Sequence, residues 1–416
     1  MSKEKEYRLS VDTLLVHGGL EPSGATSVPI VQSSAFSYET AGELEDVFRG
    51  RGPGDIYTRI GNPTNEKLER RLALLEGGVG ATATASGMAA ITLAVLNIAR
   101  AGDEIVSSSS LFGGTFSLFK YTLAEYGITA KFADPCDLDE MRSAITDKTR
   151  LIFVESIGNP KMDVPDLPEL AKLAHEAGVP LVVDATITTP YLARVKEFGA
   201  DIIVHSTSKF INGTGTSIGG AIIDSGTFNW DSPKFAQYQA YAKKYKKFAF
   251  SARMRKQLYK DFGAAAAPMN SFLMTEGIQT LALRMERHCG NAGSVTGFLD
   301  AHPKVDWVNY PGLKSSAHYT VAKKLYGGRF GGIFTIGLGS KERAFRFIDG
   351  LKLARNLANI GDAKTLVIHP ASTICCEFTD EERSAMGVSD DMVRVSVGIE
   401  APQDIIHDFE QALEKV

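Results

Sequence analysis

Three stretches of the sequence end a short apolar run in a polar or small residue, the arrangement that delivers side chains to one edge of a sheet. In the first, Ala85, Ser86, Gly87 and Met88 stand directly ahead of a helical pattern. Small residues there let backbone N–H groups approach an anion at the positive end of a helix dipole. Taken alone, a turn of this kind serves close packing equally well. In the second, Leu181, Val182 and Val183 lead to Asp184. A buried aspartate needs a partner, and a protonated ring nitrogen is a good one; capping a neighbouring loop is the structural alternative. In the third, Val204 and His205 run into Ser206, Thr207, Ser208 and Lys209, followed by the glycine-rich string NGTGTSIGG. A lysine set among hydroxyls and glycines at a strand end is unusual for a structural role, because lysines carry their ammonium to solvent.

An amine, an anion cradle and a buried carboxylate are together what pyridoxal 5'-phosphate (PLP) requires of a protein. Lys209 would hold the cofactor as a Schiff base. Ser86, Gly87 and Met88 with Ser206 and Ser208 would cradle the phosphate, and Asp184 would keep the pyridine ring protonated as an electron acceptor. Desolvation beside a pyridinium lets Lys209 shed its proton readily, as Schiff-base chemistry demands. Each part is unspecific alone; the chain order of all three is what points to a PLP site.

The elements that must position these residues are legible as an alternation. Leu68, Leu72 and Leu75 recur at helical spacing, with Asn65 as the expected cap and Gly77 as the expected stop. Strands are expected at 81–85, 104–106, 151–155, 180–184 and 202–205, with helices at 89–99 and 167–177. Such alternation predicts a mainly parallel sheet covered by helices on both faces. The first sixty residues, rich in turn formers (HGG, EPSG, RGRGPGD), read as an extended arm. Residues 231–259, polar, aromatic and lysine-rich (YAKKYKK), read as a solvated connecting helix rather than a nucleic-acid patch. Beyond about residue 264, helices and strands at 332–338 and 393–397 suggest a smaller α/β domain. The expected division is an arm over 1–62, a PLP-binding large domain over 63–263 and a small domain over 264–416.

With 416 residues the chain can bury two substantial cores. A net charge of −4 gives no electrostatic reason to expect nucleic acid or an anionic membrane as partner. No apolar run approaches the roughly 20 residues that span a bilayer, and MSKEKEYRLS has no apolar stretch after it to make a signal peptide, so a cytoplasmic address is expected. Cys136, Cys289, Cys375 and Cys376 show neither C-x-x-C spacing nor a disulfide framework. They are expected to be reduced thiols, the adjacent Cys375 and Cys376 included, and no metal site is expected.

Longer strings carry a resemblance that covers nearly the whole chain: YTRIGNPTNEKLE (57–69), ASGMAAITLAVLN (85–97), SSSLFGGTFSLFKYTL (108–123), FVESIGNP (153–160), LRMERHCGNA (283–292) and RVSVGIE (394–400). The chain resembles the PLP-dependent enzymes of Cys/Met metabolism, the group of cystathionine γ-synthase, methionine γ-lyase and O-acetylhomoserine sulfhydrylase. IGDAKTLVIHPAS (360–372) and Asn359, where lyases and cystathionine synthases usually carry serine, are most similar to the sulfhydrylases.

The resemblance implies the aspartate-aminotransferase-like (type I PLP) fold, and a γ-replacement on O-acetylhomoserine in which a sulfur nucleophile yields homocysteine. It implies that Tyr57 and Arg59 reach a neighbouring subunit's phosphate, Tyr57 also assisting catalysis, within a homotetramer of active-site-sharing dimers. Asn159 would bond the ring hydroxyl region, and Arg394 would clamp the substrate carboxylate with Asn359 nearby. A γ-lyase or cystathionine γ-synthase would share nearly all these residues, and the sulfur donor could be sulfide or a small carrier protein. A PLP-fold protein that mainly binds such a carrier is the non-catalytic alternative, and the intact Lys209 and Asp184 weigh against it.

The sequence departs from the family's usual residues at Phe112, where a cofactor-stacking tyrosine is common, and at Ala185, Thr214, Arg355-Asn356 and Cys375-Cys376. Phe112 keeps the ring face for stacking but offers no phenol.

Overall fold

The computed structural model describes residues 9–19 and 24–416. The N-terminal octet and most of the EPSG turn string lie outside the described residues. Seven strands form the larger sheet: β1 (Gly80–Thr84), β2 (Glu104–Ser108), β3 (Thr129–Ala133), β4 (Thr149–Glu155), β5 (Leu181–Asp184), β6 (Ile202–His205) and β7 (Gly220–Asp224). Their order is β1-β7-β6-β5-β4-β2-β3. The five strands from β6 to β3 pair in parallel, while β7 runs antiparallel to both β6 and β1.

Burial on both faces explains why the central strands read as unbroken apolar runs rather than as an alternation. Ile152 and Val154 of β4 and Leu181 and Val183 of β5 enter one core with the helix α3 (Pro63–Glu76). Leu151 and Phe153 of β4 and Val182 of β5 point the other way, into a second core with α4 (Gly87–Ile98). The parallel strands all end at one edge, so the residues that follow them gather there.

The expected strands and helices recur with shifts of one to a few residues at their ends, and the structure adds β3 and β7. One expected cap is corrected. Helix α3 begins at Pro63 and its N-cap is Asn62, whose Oδ1 accepts the Thr64 N–H; Asn65 lies inside the helix and donates to the Ala266 carbonyl. Proline at the first helical position lacks the N–H that would go unpaired there, which sets the start earlier than the leucine spacing alone suggests. Gly77, at φ +71°, closes the helix as expected.

The arm is not wholly extended. It contains α1 (Val11–His17), whose buried Leu15 joins the α3 core, and α2 (Ala41–Phe48), started by a Thr40–Glu43 capping box. The segment 231–259 is likewise no solvated helix. It is broken into short helical turns whose Trp230 neighbour, Phe235, Tyr238, Phe250, Met254 and Tyr259 are buried in the second core. Tyr238 and Arg253 donate to the Asn97 carbonyl and Gln237 to that of Ile98, which satisfies orphan acceptors at the end of α4. The lysines at 243, 244, 246 and 247 stay in water.

A second sheet, of order β10-β11-β12-β9-β8, follows: β8 (Trp307–Asn309), β9 (Ile333–Gly337), β10 (Arg355–Asn356), β11 (Leu366–Ile368) and β12 (Met392–Ser396). It packs on the helices Leu281–Asp300, Lys341–Gly350 and Pro402–Leu413 around a third core. Gly263, the last residue of the expected large domain, ends the helix Lys260–Phe262 at φ +71°. Beyond it, the helix Pro268–Gln279 still packs on α3 through Met274 and Ile278. No helix among the described residues is long and apolar enough to cross a membrane.

Candidate active site

A cavity of about 650 Å³ opens at the carboxyl edge of the large sheet, within the range of small-ligand sites. Its lining brings together Ser86, Gly87, Met88, Phe112, Asn159, Asp184, Ser206, Ser208, Lys209, Asn359 and Arg394. Two expected site residues are elsewhere. Tyr57 is 43% exposed, and Arg59 lies 5.5 Å over its ring and donates to the Lys260 carbonyl. Neither lines this chain's own cavity.

Each lining residue is delivered by an element end. Ser86 caps α4 by accepting the Ala89 N–H at 3.1 Å, so the free N–H groups of the first turn face the cavity. Glycine is required next: a Cβ on Gly87 would stand 2.6 Å from the Cβ of Ser206. Asp184, the last residue of β5, accepts the Thr186 N–H at 2.9 Å, and the Thr186 hydroxyl accepts the Ser206 N–H at 2.8 Å. That pair of bonds locks the ends of β5 and β6 side by side. Ser208 both donates to the Gly219 carbonyl and accepts its N–H, tying the lysine turn to the strand that returns as β7.

Lys209 Nζ donates to Asn359 Oδ1 at 2.6 Å. Arg394, at 3% exposure, splits its fork between Asn159 Oδ1 at 3.1 Å and the Asn359 carbonyl at 3.2 Å. Asn359 therefore touches the amine and the guanidinium at once. Burial, and then the Arg394 charge, lower the Lys209 ammonium to about 8, so a neutral amine is accessible near physiological pH. Burial also lowers Arg394, to about 10, which leaves it charged.

Sequence reasoning missed Glu155. It ends β4 as Asp184 ends β5, so the same rule, a carboxylate closing an apolar run, singles it out. Its Oε1 accepts the Phe112 N–H at 2.6 Å and its Oε2 the Asn159 N–H at 3.1 Å. Burial, followed by the Asp184 charge, raises Glu155 well above the usual carboxylate range, against those two bonds. Thr186 and Ser217 were also missed; an isolated hydroxyl carries no sequence signal. Of the family departures, Phe112 lines the cavity, Ala185 is buried and Thr214 bonds Asn212 beside it. Cys375 is buried, Cys376 is exposed, and Arg355-Asn356 form the exposed β10.

The residues fit PLP. Burial alone raises Asp184, a penalty that a cationic ring nitrogen would reverse. Ser217 turns a buried hydroxyl without a protein partner toward the same space, as an anion cradle leaves its donors. The α4 N-terminus and the small side chain at Gly87 give an anion close access.

Comparison with known proteins agrees. The model of the Cys/Met metabolism PLP-dependent enzyme family matches residues 12–414. An O-acetyl-L-homoserine sulfhydrylase of Leptospira meyeri is 46% identical over 97% of both chains, and a homocysteine synthase of Schizosaccharomyces pombe is 44% identical over 97% of this chain and 98% of its own. Among solved structures, a putative O-acetylhomoserine (thiol)-lyase of Campylobacter jejuni, crystallised with N'-pyridoxyl-lysine-5'-monophosphate, superposes with a TM-score of 0.94 at 35% identity, over 98% of this chain and all of its own. The chain belongs to the Cys/Met-metabolism family of PLP-dependent enzymes; its cofactor is PLP and its fold is of the type I PLP class.

Proposed function

We propose that this family member carries out γ-replacement on O-acetyl-L-homoserine: a sulfur nucleophile displaces acetate, giving L-homocysteine. The observation that carries the reading is the contact of one residue, Asn359, with both the Lys209 amine and the Arg394 guanidinium. An amino acid held there by its carboxylate presents its α carbon to the lysine. The names of the similar proteins supply the ester and the product.

When bound, PLP supplies an electron sink that loosens protons at the substrate α and β carbons. Lys209 is the residue that would hold it. Asp184 would pair with its ring nitrogen, Phe112 would stack on its face, and Ser86, Gly87, Met88, Ser206 and Ser208 would cradle its phosphate. The same lysine takes and returns protons at the substrate's α and β carbons, a task suited to an amine titrating near 8. Arg394 binds the α-carboxylate through its planar fork, which Asn159 and the Asn359 carbonyl already orient. Acetate leaves with the C–O bonding pair, and a hydrosulfide closes a C–S bond at the same γ carbon. Phe112 has no hydroxyl, and among the described residues no tyrosine lines the cavity to assist these transfers.

Tyr57 and Arg59, exposed and outside the chain's own cavity, are assigned to a neighbouring subunit's phosphate, with Tyr57 assisting catalysis there, within a homotetramer of active-site-sharing dimers. The reaction is assigned to the cytoplasm, with free sulfide or a sulfur-carrier protein as donor. The test is an assay of the O-acetyl, O-succinyl and O-phospho esters of homoserine, each with sulfide and with cysteine. Homocysteine from the acetyl ester and sulfide is the expected outcome. Cystathionine formed faster from cysteine would make the protein a cystathionine synthase, and a keto acid and ammonia formed equally fast without sulfide would make it a γ-lyase.

A further inference from the structure

A second polar cluster lies outside the cavity, against the edge strand β3. Asp134 and Cys136 follow that strand, Lys161 and Asp163 lie on the loop beyond β4, and His318 precedes the helix Tyr319–Tyr326. Ligand-type atoms of Asp134, Cys136 and Asp163 lie within 4.8 Å of one another, and His318 Nδ1 is 4.0 Å from Cys136 Sγ. None of these residues lines the active-site cavity.

Asp163 is 1% exposed. Its Oδ1 accepts the Ser110 hydroxyl at 2.7 Å, but its Oδ2 has no hydrogen-bond partner. The nearest cation, Lys161 Nζ, bonds Asp134 Oδ2 at 3.1 Å and stays 3.6 Å from Asp163 Oδ2. A buried carboxylate oxygen thus faces the cluster, and one ammonium answers two carboxylates. A divalent cation would answer both carboxylates at once, and a coordinating thiol gives up its proton to it.

Two carboxylates, a thiol and an imidazole are the donor types zinc takes in tetrahedral sites, with bonds of about 2.0–2.3 Å that set neighbouring donors about 3.4–3.6 Å apart. The donors of Asp134, Cys136 and Asp163 need a contraction on the order of 1 Å to reach that spacing, and His318, outside that group of three, must swing in from its contact with Cys136. Cys136 is exposed and Asp134 half-buried, so both have room to move. We propose that Asp134, Cys136, Asp163 and His318 form a binding site for a thiophilic divalent cation, Zn²⁺ by its donor set, and that the Lys161 ammonium withdraws to solvent when the metal enters. One zinc–sulfur bond forms, one thiol proton leaves to water, and no oxidation state changes.

Occupancy would bear on the cavity through two loops. The Asp163 carbonyl accepts the Gly158 N–H at 3.0 Å, next to Asn159, and Ser110 stands two residues before Phe112. His318 comes from the C-terminal part of the chain, so the metal would join that part to the loops bearing Phe112 and Asn159.

The experiment is a titration of chelator-treated, PLP-loaded enzyme with ZnCl₂ by calorimetry under a non-chelating phosphine reductant. Co²⁺ serves as a spectroscopic probe, read in visible d–d bands at longer wavelength than the cofactor band. One ion per chain is expected. Cys136→Ser and His318→Gln should each weaken binding by more than about 100-fold, the upper end of the loss seen when only an outer hydrogen-bond partner is removed. Lys161→Gln should strengthen it, because the competing ammonium is gone. Cys136 is exposed and His318 half-buried, and an unchanged cofactor band verifies the fold of both variants. Absence of saturable binding, or binding that either ligand variant leaves intact, would reduce the cluster to an ion-pair network around Lys161.

Discussion

Burial governs the titration of Lys209, whose amine bonds a neutral amide oxygen and lies in the field of the Arg394 guanidinium. Its folded pKa of about 8 lies below the ordinary lysine value of 10.5. Between the two, the unfolded chain holds a proton that the folded apoenzyme does not, so stability must rise with pH across that window and be flat below it. The rise is at most roughly 3 kcal/mol and is absent from Lys209→Met; urea midpoints of both apoproteins from pH 7 to 10.5 measure it. Equal pH profiles would mean an ordinary lysine. Arg394→Lys should raise KM strongly and cost about 2–4 kcal/mol in kcat/KM, because a lysine cannot reproduce a two-armed clamp on a carboxylate. An unchanged KM in steady-state assays would assign the carboxylate to another residue. Phe112, held by Glu155 through its backbone N–H, keeps its placement whatever its side chain. Phe112→Tyr should therefore leave PLP affinity intact, while Phe112→Leu loses about 0.5–1.5 kcal/mol of ring stacking. Equal PLP dissociation constants for Phe112 and the leucine variant would mean that the ring never meets the cofactor.

At the scale of elements, the start of α3 is the joint between arm and core. Asn62 caps the helix through Oδ1, while its amide donates to the Val31 carbonyl at 2.9 Å and to Thr58 Oγ1 at 3.0 Å. Asn62→Ala removes the cap, worth about 1 kcal/mol, and strips a donor from the Val31 carbonyl, so a loss of roughly 2–3 kcal/mol is expected from urea unfolding. A loss under about 0.5 kcal/mol would show that the arm is not braced there. This joint also marks where the sequence was readable and where it was not. Helix α3 was legible from its leucines, and the central strands from their apolar runs, because those patterns report burial by a single element. Asn62 was not, since a proline at the first helical position shifts the cap away from the apolar spacing. The segment 231–259 misled because its lysines dominate its composition, while the aromatic residues that decide its burial pack on α4, a partner remote in sequence. Within the cavity, Lys209 and Asp184 were legible as breaks in apolar runs. Glu155 obeyed the same rule, yet its carboxylate bonds backbone N–H groups and has no role that a motif names.

Across the whole molecule, the question is whether one chain contains a complete site. The cavity holds the Lys209 amine, the Asp184 carboxylate, the Arg394 guanidinium and, around Ser86–Met88, Ser206 and Ser208, the backbone N–H groups and hydroxyls proposed as the phosphate cradle, yet among the described residues no arginine or lysine besides Lys209 and Arg394 lines it. A phosphate dianion held only by neutral donors lacks the charge-assisted bonds that bind phosphate most strongly. Arg59 and Tyr57 have the missing chemistry, a guanidinium and a phenol, and they stand together on the surface of the arm rather than in the cavity. A second copy related by a twofold axis would bring each pair to the other's cavity, since an isologous contact is reciprocal. Arg59→Ala and Lys209→Ala should then each inactivate the enzyme, by different routes: the first weakens PLP binding, the second removes the attachment point. Mixed under conditions that allow subunit exchange, half of randomly paired dimers are hybrids, and each hybrid keeps one intact site of two, so activity should return to about a quarter of wild type. The recovered activity should carry wild-type KM, because the intact site contains no altered residue. If exchange is verified by mass-tagged subunits and no activity returns, Arg59 and Lys209 serve the same chain's site or none at all, and the phosphate's counter-charge must be sought elsewhere.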